Sequence, residues 1–185
     1  MTVIIGFANK GGCYLGSDSL ITSEYHIISE CEKKIQLFNN DTLGIAFSGL
    51  CRIGNIIRDG LNIPENKNNL KDSEYIFNVV GYIRERIIDC GDVNDNDSFN
   101  MLIAHNKRIY TVDKGYCISE IHSRYFAEGH GAAYAMGAMY AVETRCDFKS
   151  KETKQYAQYI INAGLDAAIN HSCGCGGKIN IVRVS

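Results

Sequence analysis

The order of apolar segments predicts an α+β fold, a four-layer αββα sandwich in which two antiparallel sheets pack face to face between layers of helix. Three observations predict it. Short apolar runs come in pairs separated by turn residues, as β-hairpins do. Two stretches in the middle of the chain and two near its end carry apolar residues at helical spacing instead. The resulting order is strands, two helices, strands, two helices and a last strand, which lacks the strand–helix alternation of a doubly wound parallel sheet. With 185 residues, 45% hydrophobic and 22% charged, the chain is in the globular range and long enough for one substantial core. No linker, internal repeat or low-complexity segment divides it, so residues 1–185 read as a single domain.

Residues 2–7, opening with Thr2-Val3-Ile4-Ile5-Gly6, read as a buried strand, and Gly11-Gly12 turns the chain into a second strand over 13–17. A second hairpin joins strands at 34–38 and 42–47 through Asn39-Asn40-Asp41, residues suited to a tight turn. Over 51–61, Ile53, Ile56, Ile57 and Leu61 recur at helical spacing. The polar stretch 62–72 holds Pro64, the only proline, and reads as a surface loop. Ser73 is placed to cap a second helix with Ile76, Val79, Val80, Ile83 and Ile87 on one face, and Gly91 to stop it. Three short β segments follow at 99–104, 108–112 and 116–120. The chain closes with a small-residue helix over 132–142, a longer helix over 152–170 and a last strand over 179–184.

Composition removes several function classes. The formal net charge is -2 and no basic run exceeds two residues, which argues against a nucleic-acid partner. No apolar stretch approaches the ~18 residues of a membrane span. The opening residues have neither the basic segment nor the apolar run of a secretory signal, so the expectation is a soluble cytoplasmic protein. Eight cysteines then read as reduced thiols, several buried as small hydrophobes. His171, Cys173 and Cys175 invite a metal reading, but no second pair completes a tetrahedral set, and neither metal nor organic cofactor is expected. The run Asp92-Val-Asn94-Asp-Asn96 invites a calcium-loop reading. It carries Asp97 where glycine is needed and Ile103 where the bidentate glutamate belongs, so it reads as a solvated turn.

Thr2 follows the initiator methionine, and its small side chain favours removal of Met1. A free N-terminal threonine is a self-contained catalytic unit, because Oγ is a nucleophile and the α-amine of the same residue can be its base. That amine has a pKa near ~7.7–8.0, so much of it is neutral at cytosolic pH. Such a nucleophile needs a cation near Oγ, a carboxylate to hold that cation, and a backbone N–H for the oxyanion. Asp18 ends the second strand and Lys34 begins the third, where hairpins could return both beside the N-terminus. Gly49 closes the fourth strand in Phe47-Ser48-Gly49.

The opening Thr-Val-Ile-x-Gly, Gly11-Gly12 and Gly16-Ser17-Asp18-Ser19 resemble the start of mature proteasome β and HslV subunits. Lys34-Ile35 resembles the family's lysine and following apolar residue, and Ile45-Ala46-Phe47-Ser48-Gly49 its oxyanion segment. Gly129-His130-Gly131 with Tyr134-Ala135-Met136-Gly137-Ala138 is similar to the family's Gly-Ser-Gly and Tyr-Ala-x-Gly-Ala stretch. The resemblance implies an N-terminal-nucleophile hydrolase, a threonine-type endopeptidase acting on peptide or unfolded protein. It assigns Thr2 as nucleophile and base, Lys34 as the residue lowering the hydroxyl pKa, Asp18 as its support, and Gly49 as the oxyanion donor. Lys33 competes with Lys34, since a one-residue slip in a strand reverses which side chain points inward. The resemblance also implies a homo-oligomeric ring, fed by a separate ATP-dependent unfoldase. This chain lacks the Gly-x-x-x-x-Gly-Lys motif for doing ATP work itself.

Two parts of the family pattern are altered. His130 stands where a serine beside the nucleophile is expected, either to assist proton movement, to block the site or to pack. The family's Asp-x-x-Ser-Gly is matched to 170–174, with Asn170 in place of the carboxylate and Cys173 in place of the hydroxyl. Rival readings are a non-catalytic ring or scaffold subunit, an amidase for a small amide, and a Cys/His metal-binding protein.

Overall fold

The computed structural model describes residues 2–23, 26–66, 70–91 and 99–185. Met1 and the acidic run at 92–96 lie outside the described residues. The chain begins with the expected hairpin, β1 (Val3–Asn9) and β2 (Gly12–Ser17), paired antiparallel from Ile4 opposite Ser17 to Asn9 opposite Gly12. The strand starts one residue later than expected, which leaves Thr2 outside the ladder. Two short strands that the sequence does not announce follow, β3 (Ile21–Ser23) and β4 (His26–Ser29), which among the described residues pair only with each other. The second hairpin is β5 (Ile35–Phe38) and β6 (Leu43–Gly49). Its turn runs through Asn39, Asn40 and Asp41 at φ of 54°, 54° and 66°, the left-handed region that Asn and Asp tolerate.

Two helices come next, α1 (Cys51–Asp59) and α2 (Asp72–Asp89). The expected cap at Ser73 is corrected: Ser73 lies inside α2, and the cap position is Lys71, with no side-chain cap bond. Asp72 and Glu74 in the first turn instead place negative charge at the positive end of the helix dipole. Next are β7 (Phe99–His105), β8 (Arg108–Val112), β9 (Ile118–Ile121) and β10 (Tyr125–Gly129). Ile103, the residue that breaks the calcium pattern, is a fully buried member of β7. The third of these segments begins at Ile118 rather than 116, because Tyr116 sits at φ 60° in a turn where its N–H donates to Asp113 O. The chain ends with α3 (Ala132–Arg145), α4 (Lys154–His171) and β11 (Asn180–Val184). Thr153 caps α4, its hydroxyl accepting from Tyr156 N at 3.1 Å.

The four layers follow from where the apolar side chains go. One sheet has the order β10-β1-β2-β11 and the other β5-β6-β7-β8-β9, antiparallel throughout. Between them pack Ile4, Leu15, Ala46, Leu102, Ile109 and Val184. The outer face of the five-stranded sheet, with Leu43, Ile45, Met101 and Ile103, is covered by Ile53 and Ile57 of α1 and Ile76, Val80 and Ile83 of α2. The outer face of the other sheet, with Val3, Ile5 and Phe7, is covered by Met139 of α3 and Ile160, Ile161 and Leu165 of α4. A strand covered on both faces must be apolar on both faces. That is why β1 reads as a continuous run and not an alternating one.

Candidate active site

The site forms where the starts of two hairpins meet. Thr2 immediately precedes β1, and Asp18 immediately follows β2, so the antiparallel register returns Asp18 beside the N-terminal residues. The backbones join across this end: Asp18 N donates to Val3 O at 3.3 Å. Asp18 Oδ1 accepts from Val3 N at 3.0 Å. Lys34 immediately precedes β5, whose pairing with β6 starts at Ile35 opposite Ala46, and Lys34 O accepts from Phe47 N. This alternation turns Lys34 inward and leaves Lys33 exposed, which resolves the pair in favour of Lys34 as the residue at the site.

The Lys34 ammonium has three protons and three acceptors. Nζ donates to Thr2 Oγ1 at 2.8 Å, Asp18 Oδ1 at 2.8 Å and the Leu20 carbonyl at 2.7 Å. Asp18 Oδ2 accepts from Gly176 N at 3.1 Å. Thr2 is 6% exposed, Asp18 0% and Lys34 3%. A buried ion pair is tolerated only when its remaining hydrogen-bonding capacity is met. Here the backbone N–H groups of Val3 and Gly176 and the Leu20 carbonyl meet it. The result is a cation held against one hydroxyl with little freedom to turn away.

Thr2 is held from the other side by the turn after β10. Gly129 has φ 96°, and a Cβ there would stand 2.3 Å from Thr2 O, so both its conformation and the close approach require glycine. Gly131 N donates to the same carbonyl at 3.4 Å. His130, between these glycines, is exposed. Gly49, at the end of β6 with φ 109°, lies on the wall of a cavity of about 210 Å³ that also contains Thr2 and Lys34.

The structure does not bring two of the expected supporting residues to this centre. Asn170 is in the last turn of α4, exposed, and its Nδ2 donates to Asp166 O at 2.8 Å. Cys173 is exposed in the following turn. The helix continues through His171, which carries residue 170 to the solvent side, and the chain reaches the centre only two residues after Cys173. There Ser172 and Cys175 are buried, and the Cys175 Sγ lies 2.7 Å from where a Cβ on Gly131 would be. Burial pushes the Cys175 thiol up, with the Asp18 charge acting in the same direction and Lys34 opposing it. It is therefore a neutral thiol at neutral pH. The sequence singled out Cys175 only with His171 and Cys173 as a candidate metal motif, and it did not single out Gly176. Leu20, whose carbonyl completes the lysine shell, carried no sequence signal, since a backbone acceptor leaves none.

Among the described residues no cluster of three or more His, Cys, Asp or Glu side chains is arranged to hold a metal ion. The ring of His171 packs near that of Tyr134, with centroids 6.0 Å apart. No helix among the described residues is long and apolar enough to cross a membrane.

No protein-family profile matches this chain, and no curated protein matches it in sequence. Solved structures do match in three dimensions. The structure of Thiobacillus denitrificans BPH in complex with epoxomicin is similar at TM-score 0.77 and 21% identity, covering 100% of both chains. A second structure of Thiobacillus denitrificans BPH gives TM-score 0.73 at 21% identity, over 100% of this chain and 99% of that one. Eukaryotic HslV from Trypanosoma brucei gives TM-score 0.70 at 13% identity over 98% of each. Along its whole length this chain therefore has the proteasome-like fold of the HslV-type peptidases.

Proposed function

We propose that this chain is a threonine-type amide hydrolase, an endopeptidase whose nucleophile is the Oγ of Thr2 after removal of Met1. The observation that carries the reading is the 2.8 Å contact from the buried Lys34 ammonium to Thr2 Oγ1, with Asp18 holding the same ammonium. A fixed positive charge at that distance stabilises the hydroxyl oxygen as it gains negative charge. The Thr2 α-amine takes the Oγ proton as the Oγ–C bond to the substrate carbonyl forms, and the Gly49 N–H supports the resulting oxyanion. The C–N bond then breaks, the amine delivers its proton to the departing amine, and an ester on Thr2 remains. Water, deprotonated by the same α-amine, adds to the ester, releases the acid and restores Thr2.

Assembly into a homo-oligomeric ring is part of the proposal. It is supported by large apolar side chains left exposed on several elements, among them Phe77 and Ile88 of α2, Tyr140 of α3, and Ile27 and Ile28 of β4. An ATP-driven unfoldase would be a separate partner. Free cysteines throughout the described residues support a reducing, cytoplasmic setting.

Intact-mass measurement on the purified protein tests the chemistry. The expected product lacks one methionine and gains one equivalent of epoxomicin at Thr2, while Thr2→Ala gains none and cleaves no peptide. Retained Met1 with no adduct would overturn the enzyme reading in favour of a non-catalytic ring subunit.

A further inference from the structure

The cavity beside Thr2 is not chemically uniform. Leu20, Phe47 and Leu50 give it apolar wall, whereas Glu32, Asn55 and Thr22 line it with polar groups. Two of the charged side chains that line it are Lys34 and Glu32. The first has all three of its protons committed, to Thr2, Asp18 and the Leu20 carbonyl. Glu32 is in a different position. It is 27% exposed, and its Oε1 is engaged by Nη1 of Arg58. Arg58 also donates to Asn55 Oδ1 at 2.9 Å and, through Nε, to Asp59 Oδ2 at 2.9 Å. One guanidinium is thus shared between two carboxylates, and the three groups together carry one net negative charge. The shared arginine fixes the Glu32 carboxylate in place, and a carboxylate offers about four lone-pair sites, so acceptor capacity remains. The Glu32 backbone is fixed as well, its N–H donating to Ser19 O at 3.1 Å, next to Asp18.

We infer that this cavity selects a long cationic side chain, lysine or arginine, on the residue whose carbonyl Thr2 attacks. The inference rests on the peptidase reading and deepens it. The attacked carbonyl and the side chain beside it belong to one residue. With the carbonyl between Thr2 Oγ and Gly49, that side chain enters the space these two residues line. An apolar stem matches Leu20, Phe47 and Leu50, and a cationic head matches Glu32 backed by Asn55 and Thr22. An acidic side chain would meet the uncompensated charge of the Glu32–Arg58–Asp59 group. An aliphatic one would strip water from the Glu32 carboxylate and return no hydrogen bond.

The test is a panel of fluorogenic peptides differing only in that residue, Lys, Arg, Leu or Glu, compared by kcat/KM. Preference for Lys and Arg over Leu by about tenfold or more is expected from a charge-assisted hydrogen bond, with Glu the poorest. Glu32→Gln should lower the Lys-to-Leu ratio about tenfold, and Glu32→Lys should reverse the order of Lys and Glu. Should the Glu32 variants fail to fold, Asn55→Asp places a second carboxylate on the same wall and should raise the Lys-to-Leu ratio. A parent enzyme that takes up epoxomicin and cleaves Leu peptides as well as Lys peptides overturns this inference and leaves the hydrolase intact. No cleavage and no adduct overturns the hydrolase reading itself.

Discussion

Lys34 is the residue on which the centre turns, because each of its three ammonium protons has a fixed acceptor and only one of those acceptors is the hydroxyl of Thr2, the proposed nucleophile. Lys34→Ala removes the cation from Thr2 and also leaves the fully buried Asp18 carboxylate without its counter-charge. Stripping one partner from a buried pair costs about 3–5 kcal/mol, and losing one electrostatic contact to the reacting centre costs about 100-fold or more in rate. Pairing Lys34→Ala with Asp18→Asn separates the two effects: stability in urea recovers part of that loss, while kcat/KM stays low. Recovery of activity in the double variant would contradict the role given to the cation. Hairpin geometry, which is short-range, put Asp18, Lys34 and Gly49 at strand ends that could meet beside the N-terminus, and the family resemblance then assigned them their roles. Cys175 and Gly176 were not legible as site residues. The contact from Gly176 N to Asp18 closes a sequence separation of 158, and no local pattern encodes it. Asn170 and Cys173 were matched to supporting roles through the family resemblance alone; Asn170 is exposed in the last turn of α4, and Cys173 is exposed in the turn that follows it.

At the scale of elements, β10 does more for the site than its weak sequence suggests. It pairs with β1 from Phe7 opposite Tyr125 to Val3 opposite Gly129, and so ends beside Thr2. Its five residues have no clear alternation, so its strand character comes from the edge of β1 rather than from its own propensity. The same holds for the β3–β4 pair, two short strands that among the described residues pair with each other alone. The helices were easier, since Ile76, Val79, Val80, Ile83 and Ile87 repeat at a spacing that only a helix turns to one side. Gly129→Ala tests the contact between β10 and Thr2. The added Cβ meets Thr2 O at 2.3 Å on a residue at φ 96°, so Thr2 must shift. A displacement of about an ångström costs roughly 100-fold in rate. Epoxomicin uptake and kcat/KM should both fall, with far-ultraviolet circular dichroism unchanged. Activity equal to the parent would show that the turn after β10 does not position Thr2.

For the whole molecule, the two sheets hold the site rigid by packing against each other through side chains such as Ile4, Leu15 and Leu102. Leu102 is fully buried between them, and Leu102→Ala should destabilise the protein by about 2–5 kcal/mol in urea unfolding. A loss well under 1 kcal/mol would mean that the sandwich closes over the cavity or that its interior is less tightly packed than the structure describes. The sequence by itself determined the fold class, the two hairpins and the four helices found among the described residues, because apolar periodicity and turn chemistry act over a few residues. The family resemblance, not periodicity, singled out Thr2 and Asp18, with Lys33 and Lys34 left in competition. Only the tertiary structure decided which lysine turns inward, which C-terminal residues reach the carboxylate, and that Glu32 shares a cavity with Thr2. Those depend on strand register and on contacts between segments far apart in the chain, where side-chain packing, and not local preference, sets the geometry.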